Sequence, residues 1–173
     1  MKFALFTKLD SNENNDHIFS VFKSLDKHQL DYDVDSQSFD LISKLDNYNR
    51  DFNFSKVEKL SSEYDFVISI GGDGTILRSA NEIGELSIPI IGLNKGRLGF
   101  LANSPIEIID SIIEKITNSN YRISERTIIQ VEFEGKTKNA LNEISISRKN
   151  TTSLITIETL SLIHISEPTR HRR

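Results

Sequence analysis

Apolar and polar residues follow one another in blocks whose period changes along the chain. A short apolar run, Phe3 to Phe6, predicts a first strand over Lys2–Thr7, interrupted by Thr7 and Lys8. In "NDHIFSVFKSL" the apolar positions Ile18, Val21, Phe22 and Leu25 recur at helical spacing and share one face. The stretch 32–54 is polar and ambiguous, readable as a short strand followed by a loosely helical segment. Four β-formers then run through Phe66–Ile70, a glycine-rich turn follows, and a helix is expected from near Thr75 through Ala80. "IPIIGL" supplies a further strand. Strands alternating with helices in this way predict an α/β fold, a parallel sheet with helices on its faces and ligands gathered at the carboxyl ends of its strands.

After Leu101 the pattern changes. "SPIEIIDSIIEKI" predicts a helix opened by a capping box, with Ser104 and Glu107 as the reciprocal pair and Pro105 at the first helical position. Its apolar stripe is Ile109, Ile112, Ile113 and Ile116. Beyond it "TIIQVEF" alternates, with Ile129, Val131 and Phe133 on one side, "EGKTKN" reads as a turn, and "ALNEISISR" and "LITIET" read as strands. A domain boundary is therefore expected near Ala102. The division is 1–102 for a Rossmann-like α/β domain, 103–160 for the beginning of an incomplete antiparallel β-rich domain, and 161–173 for a non-native tail. That tail, "SLIHISEPTRHRR", breaks the style of the rest and resembles translated sequencing-adapter DNA.

Composition narrows the classes. The 173 residues suffice for one well-packed domain or for one and part of a second. A net charge of −4 gives no global reason to expect nucleic acid or an anionic membrane as partner. The chain has no cysteine, which removes disulfides and thiolate chemistry and fits a reducing cytoplasm. No apolar run is long enough to span a bilayer, and the start lacks the apolar core of a signal peptide.

Chemistry concentrates in "GGDGT", residues 71–75. Gly71, Gly72 and Gly74 allow positive φ and let a phosphate approach without meeting a Cβ, and the helix that follows aims unpaired N–H groups and its positive dipole end at the same place. Arg78 is expected to add a full positive charge. A carboxylate at Asp73 would repel phosphate, so it makes sense under two conditions. Either a divalent cation such as Mg²⁺ lies between them, or the carboxylate faces a hydroxyl about to attack phosphorus. The stretch matches neither the Walker A pattern nor the Gly-x-Gly-x-x-Gly dinucleotide fingerprint.

Gly-Gly-Asp-Gly-Thr at 71–75 resembles the motif shared by NAD kinases, diacylglycerol and sphingosine kinases and 6-phosphofructokinases. "GLNKGRLGFL" is similar to the NAD kinase pattern Asn-x-Gly-x-Leu-Gly-Phe at Asn94, Gly96, Leu98, Gly99 and Phe100, and "ALNEISI" resembles that family's Asn-Glu motif at Asn142 and Glu143. The resemblance covers residues 1 to about 160. It implies phosphoryl transfer from ATP or polyphosphate to the 2'-hydroxyl of the adenosine ribose of NAD, with a divalent cation. Asp73 would be the general base. Gly71, Gly72, Gly74 and Thr75 would cradle phosphates. Arg78 would supply charge near the dinucleotide, and Asn94, Phe100, Asn142 and Glu143 would belong to the NAD site. Both Asn142 and Glu143 can touch one ligand only where strict strand alternation is broken. The family's full-length members imply a homo-oligomer and a β-rich continuation that this chain lacks. A lipid or sugar kinase of the same superfamily is the alternative reading, and a non-catalytic nucleotide-binding fragment is the one from another class.

Overall fold

A computed structural model describes residues 1–8, 16–43, 52–96, 99–141 and 143–145. Residues Met1–Glu143 form one compact unit, and the second, Ile144–Arg173, lies almost wholly outside the described residues. The first unit is built on six parallel strands: β1 (Lys2–Thr7), β2 (Asp31–Asp35), β3 (Lys56–Val57), β4 (Phe66–Ile70), β5 (Ile90–Asn94) and β6 (Ser104–Pro105), in the order β3-β2-β1-β4-β5-β6. Helices α1 (Asp16–Lys27), α2 (Ser36–Ile42), α3 (Asp73–Ile83) and α4 (Ile109–Thr117) connect or flank them. This is the doubly wound order, and its topological switch point lies between β1 and β4, where ligands of such sheets bind. The glycine turn leaves β4 at that point.

The central strands read as continuous apolar runs because both sheet faces are covered. Phe3, Leu5, Phe66, Ile68 and Ile70 join Ile18, Val21, Phe22 and Leu25 of α1 in one core, to which Ile109, Ile113 and Ile116 of α4 also belong. Ala4, Phe6 and Val67 point the other way and pack with Val57, Leu60, Tyr64, Ile83 and Ile88. The expected face of α1 is thus buried in full. The ambiguous stretch from 32 resolves into β2 and α2, the helix opened by Asp35, whose side chain accepts from the Gln37 N–H at 3.2 Å.

Three local expectations are corrected. The helix after the glycine turn begins at Asp73 and runs to Ile83, with Gly72 as its cap. The capping box at Ser104 does not form. Ser104 and Pro105 pair in parallel with Leu93 and Asn94, which makes their backbone extended, and a 3₁₀ turn, Ile106–Ile108, intervenes before α4. The ladder bonds of β6 compete with the cap and win. "EGKTKN" is mostly strand: Glu134 and Gly135, both at positive φ (50° and 70°), form a two-residue turn of the kind that matches strand twist. It joins β7 (Ile129–Phe133) to β8 (Lys136–Ala140) in an antiparallel hairpin. The expected strands at 140–148 and 154–159 fall largely outside the described residues, and 141, 143, 144 and 145 carry no strand.

The expected boundary near Ala102 falls inside the parallel-sheet layer. Its sixth strand is Ser104–Pro105, and α4 lies against α1, its Asp110 accepting from Ser24 Oγ at 2.9 Å and pairing with Lys27 Nζ. The stripe of isoleucines on α4 fills the groove beside α1. No helix among the described residues is long and apolar enough to cross a membrane.

Candidate functional site

Strand β4 ends at Ile70 and the chain turns at once into α3. Gly71 sits at φ 151°, and its N–H donates to Leu93 O at 2.8 Å, tying the turn to β5. A Cβ there would overlap the Thr75 hydroxyl, so this glycine is required by the turn itself. Gly72 and Gly74 differ: a Cβ at either would meet nothing of the chain within 4 Å. Internal packing does not demand glycine at those two positions, which fits the close approach of an outside group. The Thr75 side chain is buried beneath Gly71, and its N–H is already used by Gly72 O at 3.0 Å. Thr75 therefore builds the turn more than it faces outward.

Asp73 occupies the first position of α3, where a negative charge is favoured by the helix dipole. Its carboxylate does not cap the helix. Oδ1 accepts from the N–H groups of Leu101 (2.9 Å) and Ala102 (3.0 Å), and Oδ2 from that of Phe100 (3.0 Å). The Ala102 and Leu101 donors hold the carboxyl below the ordinary aspartate range, slight desolvation opposes them, and Phe100 adds to the lowering. Asp73 is thus a firmly ionised carboxylate. Gly99 lies so close that a Cβ on it would collide with Oδ1.

The segment after β5 is held from its other side by Asn94. Its Nδ2 donates to Ala102 O at 3.2 Å and its Oδ1 accepts from Gly96 N at 3.1 Å. At 3% exposure with both ends of its amide engaged, Asn94 acts on the loop and does not offer its side chain outward. Phe100 does the opposite. Its backbone is fixed by Asp73 while its ring is 97% exposed.

Arg78 stands elsewhere than expected. Its Nη2 donates to Thr7 O at 3.0 Å and lies 3.4 Å from Asp35 Oδ2, its Nη1 donates to Gln37, and the guanidinium covers the Phe6 ring at 5.5 Å. The long side chain reaches the carboxyl ends of β1 and β2, where buried Asp35 supplies a counter-charge and also receives the hydroxyl of Ser38. A cavity of about 120 Å³ adjoins this cluster, lined among others by Phe6, Asp35, Gln37 and Arg78, and includes none of residues 71–75. Glu143 is exposed in a loop, and Asn142 lies outside the described residues.

The structure thus brings Asp73, the open glycines and Phe100 together and directs Arg78 and Asn94 to supporting roles. Missed from sequence are the backbone donors of Leu101 and Ala102 and the Asp35–Ser38 partners of Arg78. Gly99 was the available hint for the first, since a glycine permits close backbone approach. Among the described residues no group of three or more His, Asp or Glu side chains is placed to hold a metal ion. Asp73 is the carboxylate at the turn. A hydrated Mg²⁺ carried on phosphates needs no more than one or two such ligands, so the residues present fit that mode of binding.

Fold and turn together define a doubly wound α/β domain with an anion-receptive glycine turn, carrying one ionised carboxylate, at its switch point. Within that class the chain belongs to the family described as the ATP-NAD kinase N-terminal domain, whose model matches residues 14–121. Relatives named NAD kinase include those of Christiangramia forsetii (35% identical), Flavobacterium johnsoniae (34%) and Bacteroides fragilis (37%), each matched over 92% of this chain and 56% of its own length. The chain thus spans little more than half the length of these curated relatives. A crystal structure of yeast NADH kinase complexed with NADH superposes with a TM-score of 0.62 at 14% identity, covering 82% of this chain and 46% of that one, which shows the shared fold.

Proposed function

We propose that this chain is the nucleotide-binding part of a kinase that moves the terminal phosphate of ATP, or of another polyphosphate donor, to the 2'-hydroxyl of the adenosine ribose of NAD, giving NADP. The observation that carries the reading is the ionised Asp73 carboxylate beside the two open glycines and the exposed Phe100 ring, in a chain of this family. Oδ2 of Asp73 holds one N–H donor and Oδ1 holds two, so Oδ2 is the oxygen with room to accept the ribose hydroxyl. As the new O–P bond forms and the donor's P–O bond breaks, the hydroxyl proton passes to that carboxylate and the shortened polyphosphate leaves with the bond's electrons. Phosphoryl transfer is largely a matter of orientation and charge, so a weakly basic carboxylate is sufficient.

Gly72 and Gly74 would receive phosphate oxygens at the N-terminus of α3, and Phe100 would stack on the adenine. A divalent cation, when bound with the donor, supplies charge neutralisation at its phosphates. Asn142 and Glu143 remain proposed contacts to NAD. The hairpin from Ile129 on would begin the β-rich part that the relatives' additional length completes, and that length would also supply the contacts of a homo-oligomer. A cytoplasmic location fits the substrates and the lack of cysteine.

The test is a panel of acceptors offered with γ-labelled ATP to a version extended to the relatives' length: NAD, diacylglycerol, sphingosine and fructose 6-phosphate. Label in NADP alone is expected. Label in a lipid or sugar phosphate would assign the chain to another branch of phosphotransferases, and no label in any acceptor would leave it a binding module.

A further inference from the structure

We propose that Asp73 is also a positioning residue: through its carboxylate it anchors the backbone of residues 99–102, and that anchor sets where the Phe100 ring stands. Three consecutive N–H groups, those of Phe100, Leu101 and Ala102, converge on one carboxylate. Such a run of N–H groups is an anion-binding nest. Here the anion comes from the chain itself, 27 to 29 residues upstream. The nest is closed from behind, where Ala102 O accepts from Gly99 N at 3.1 Å and from Asn94 Nδ2 at 3.2 Å. Gly99 leaves the space that Oδ1 occupies.

An aromatic ring that is 97% exposed has almost no packing to hold it. Its position is inherited from its backbone, and its backbone is held by Asp73. The two oxygens therefore divide the work: Oδ1, with two donors, is structural, and Oδ2, with one, keeps capacity for a ligand. The consequence for dinucleotide binding rests on the kinase reading, whereas the anchor itself does not.

Asparagine at 73 cannot reproduce this arrangement. It keeps one acceptor oxygen and turns the other into an N–H₂ donor, so in either orientation at least one backbone N–H faces another donor. Alanine at 99 attacks the same contact from the opposite side while leaving the carboxylate chemically intact.

The experiment is amide hydrogen exchange, residue by residue, on the 173-residue chain and on its Asp73→Asn and Gly99→Ala variants, with the amides of Phe66–Ile70 as the control for an intact sheet. In the unchanged chain the amides of Phe100, Leu101 and Ala102 are expected to exchange at least about tenfold more slowly than free peptide, and both variants are expected to lose that protection with β4 still protected. Free-peptide rates in the unchanged chain, or unaltered protection in a folded variant, would overturn the anchor. Should Asp73→Asn lose the sheet as well, Gly99→Ala decides. In the extended version, Gly99→Ala is expected to raise KM for NAD by roughly tenfold, more than it lowers kcat, whereas Asp73→Asn lowers kcat more than it raises KM. The reverse split would contradict the division of labour between the oxygens. An exchange pattern as expected, in a protein that never phosphorylates NAD, would keep the anchor and remove the kinase reading.

Discussion

At Asp73 three backbone donors fix the charge state, and the pH dependence follows from its sign. The three N–H donors hold the folded pKa below that of an unfolded aspartate. The carboxylate's contribution to holding residues 99–102 is therefore complete above that value and is lost only as pH falls through the lower folded one. On the kinase reading, kcat of the extended version should show no acid limb from Asp73 between about pH 5 and 8. A limb near neutrality that vanishes in Asp73→Asn would contradict it. The glycines divide in the same way. Gly71→Ala should cost about 1–3 kcal/mol in denaturant unfolding, through its backbone angle and the Thr75 overlap. Gly74→Ala, with open space at its Cβ and a place inside α3, should leave stability unchanged or raise it by up to about 1 kcal/mol while lowering turnover. Sequence reveals Asp73 and the glycines because each residue type is odd in its place, and Phe100 through the resemblance of its motif. It is silent on the nest, since backbone N–H groups carry no residue signature. The turn of Arg78 toward Asp35 leaves no local signal, because its counter-charge lies 43 residues upstream.

Among the elements, the strands with both faces buried and the helix with a single apolar stripe are legible in advance. β1, β4 and α1 have patterns set by covered surfaces, and burial enforces the pattern residue by residue. Ends and short pieces are less legible, because local preferences there meet tertiary bonds of similar strength. Ser104 could have capped a helix and instead pairs with Leu93. Lys136 to Asn139 look like a loop by composition, yet the turn at Glu134–Gly135 puts them in register with β7. The place of α4 gives a direct prediction. Ile113 is fully buried in the same core as Phe22 and Ile68, so Ile113→Ala should destabilise the whole unit by about 2–5 kcal/mol in a single unfolding transition. A separate early transition confined to α4 would show that the helix belongs to another folding unit. The Lys27–Asp110 pair beside it is exposed, and its loss should leave stability nearly unchanged.

At the largest scale, the unit Met1–Glu143 holds a doubly wound sheet whose switch point carries the candidate chemistry and an antiparallel hairpin that leaves Ile129 and Phe133 exposed. The relatives it matches are longer by nearly as much again, so turnover is expected from the extended version rather than from the 173 residues alone. The fold class was readable because alternation of strand and helix constrains topology, and three ordered motifs pointed to the family. How the motifs divide between ligand and scaffold was not readable, since Asn94 and Phe100 belong to one motif and face opposite ways. The central claim is that Asp73 meets the hydroxyl to be phosphorylated, and the direct measurement is steady-state NADP formation from NAD and ATP by the extended version and its Asp73→Asn variant. The account predicts a fall in kcat of about 10²- to 10⁴-fold. A variant that turns over NAD at close to the parent rate would contradict it.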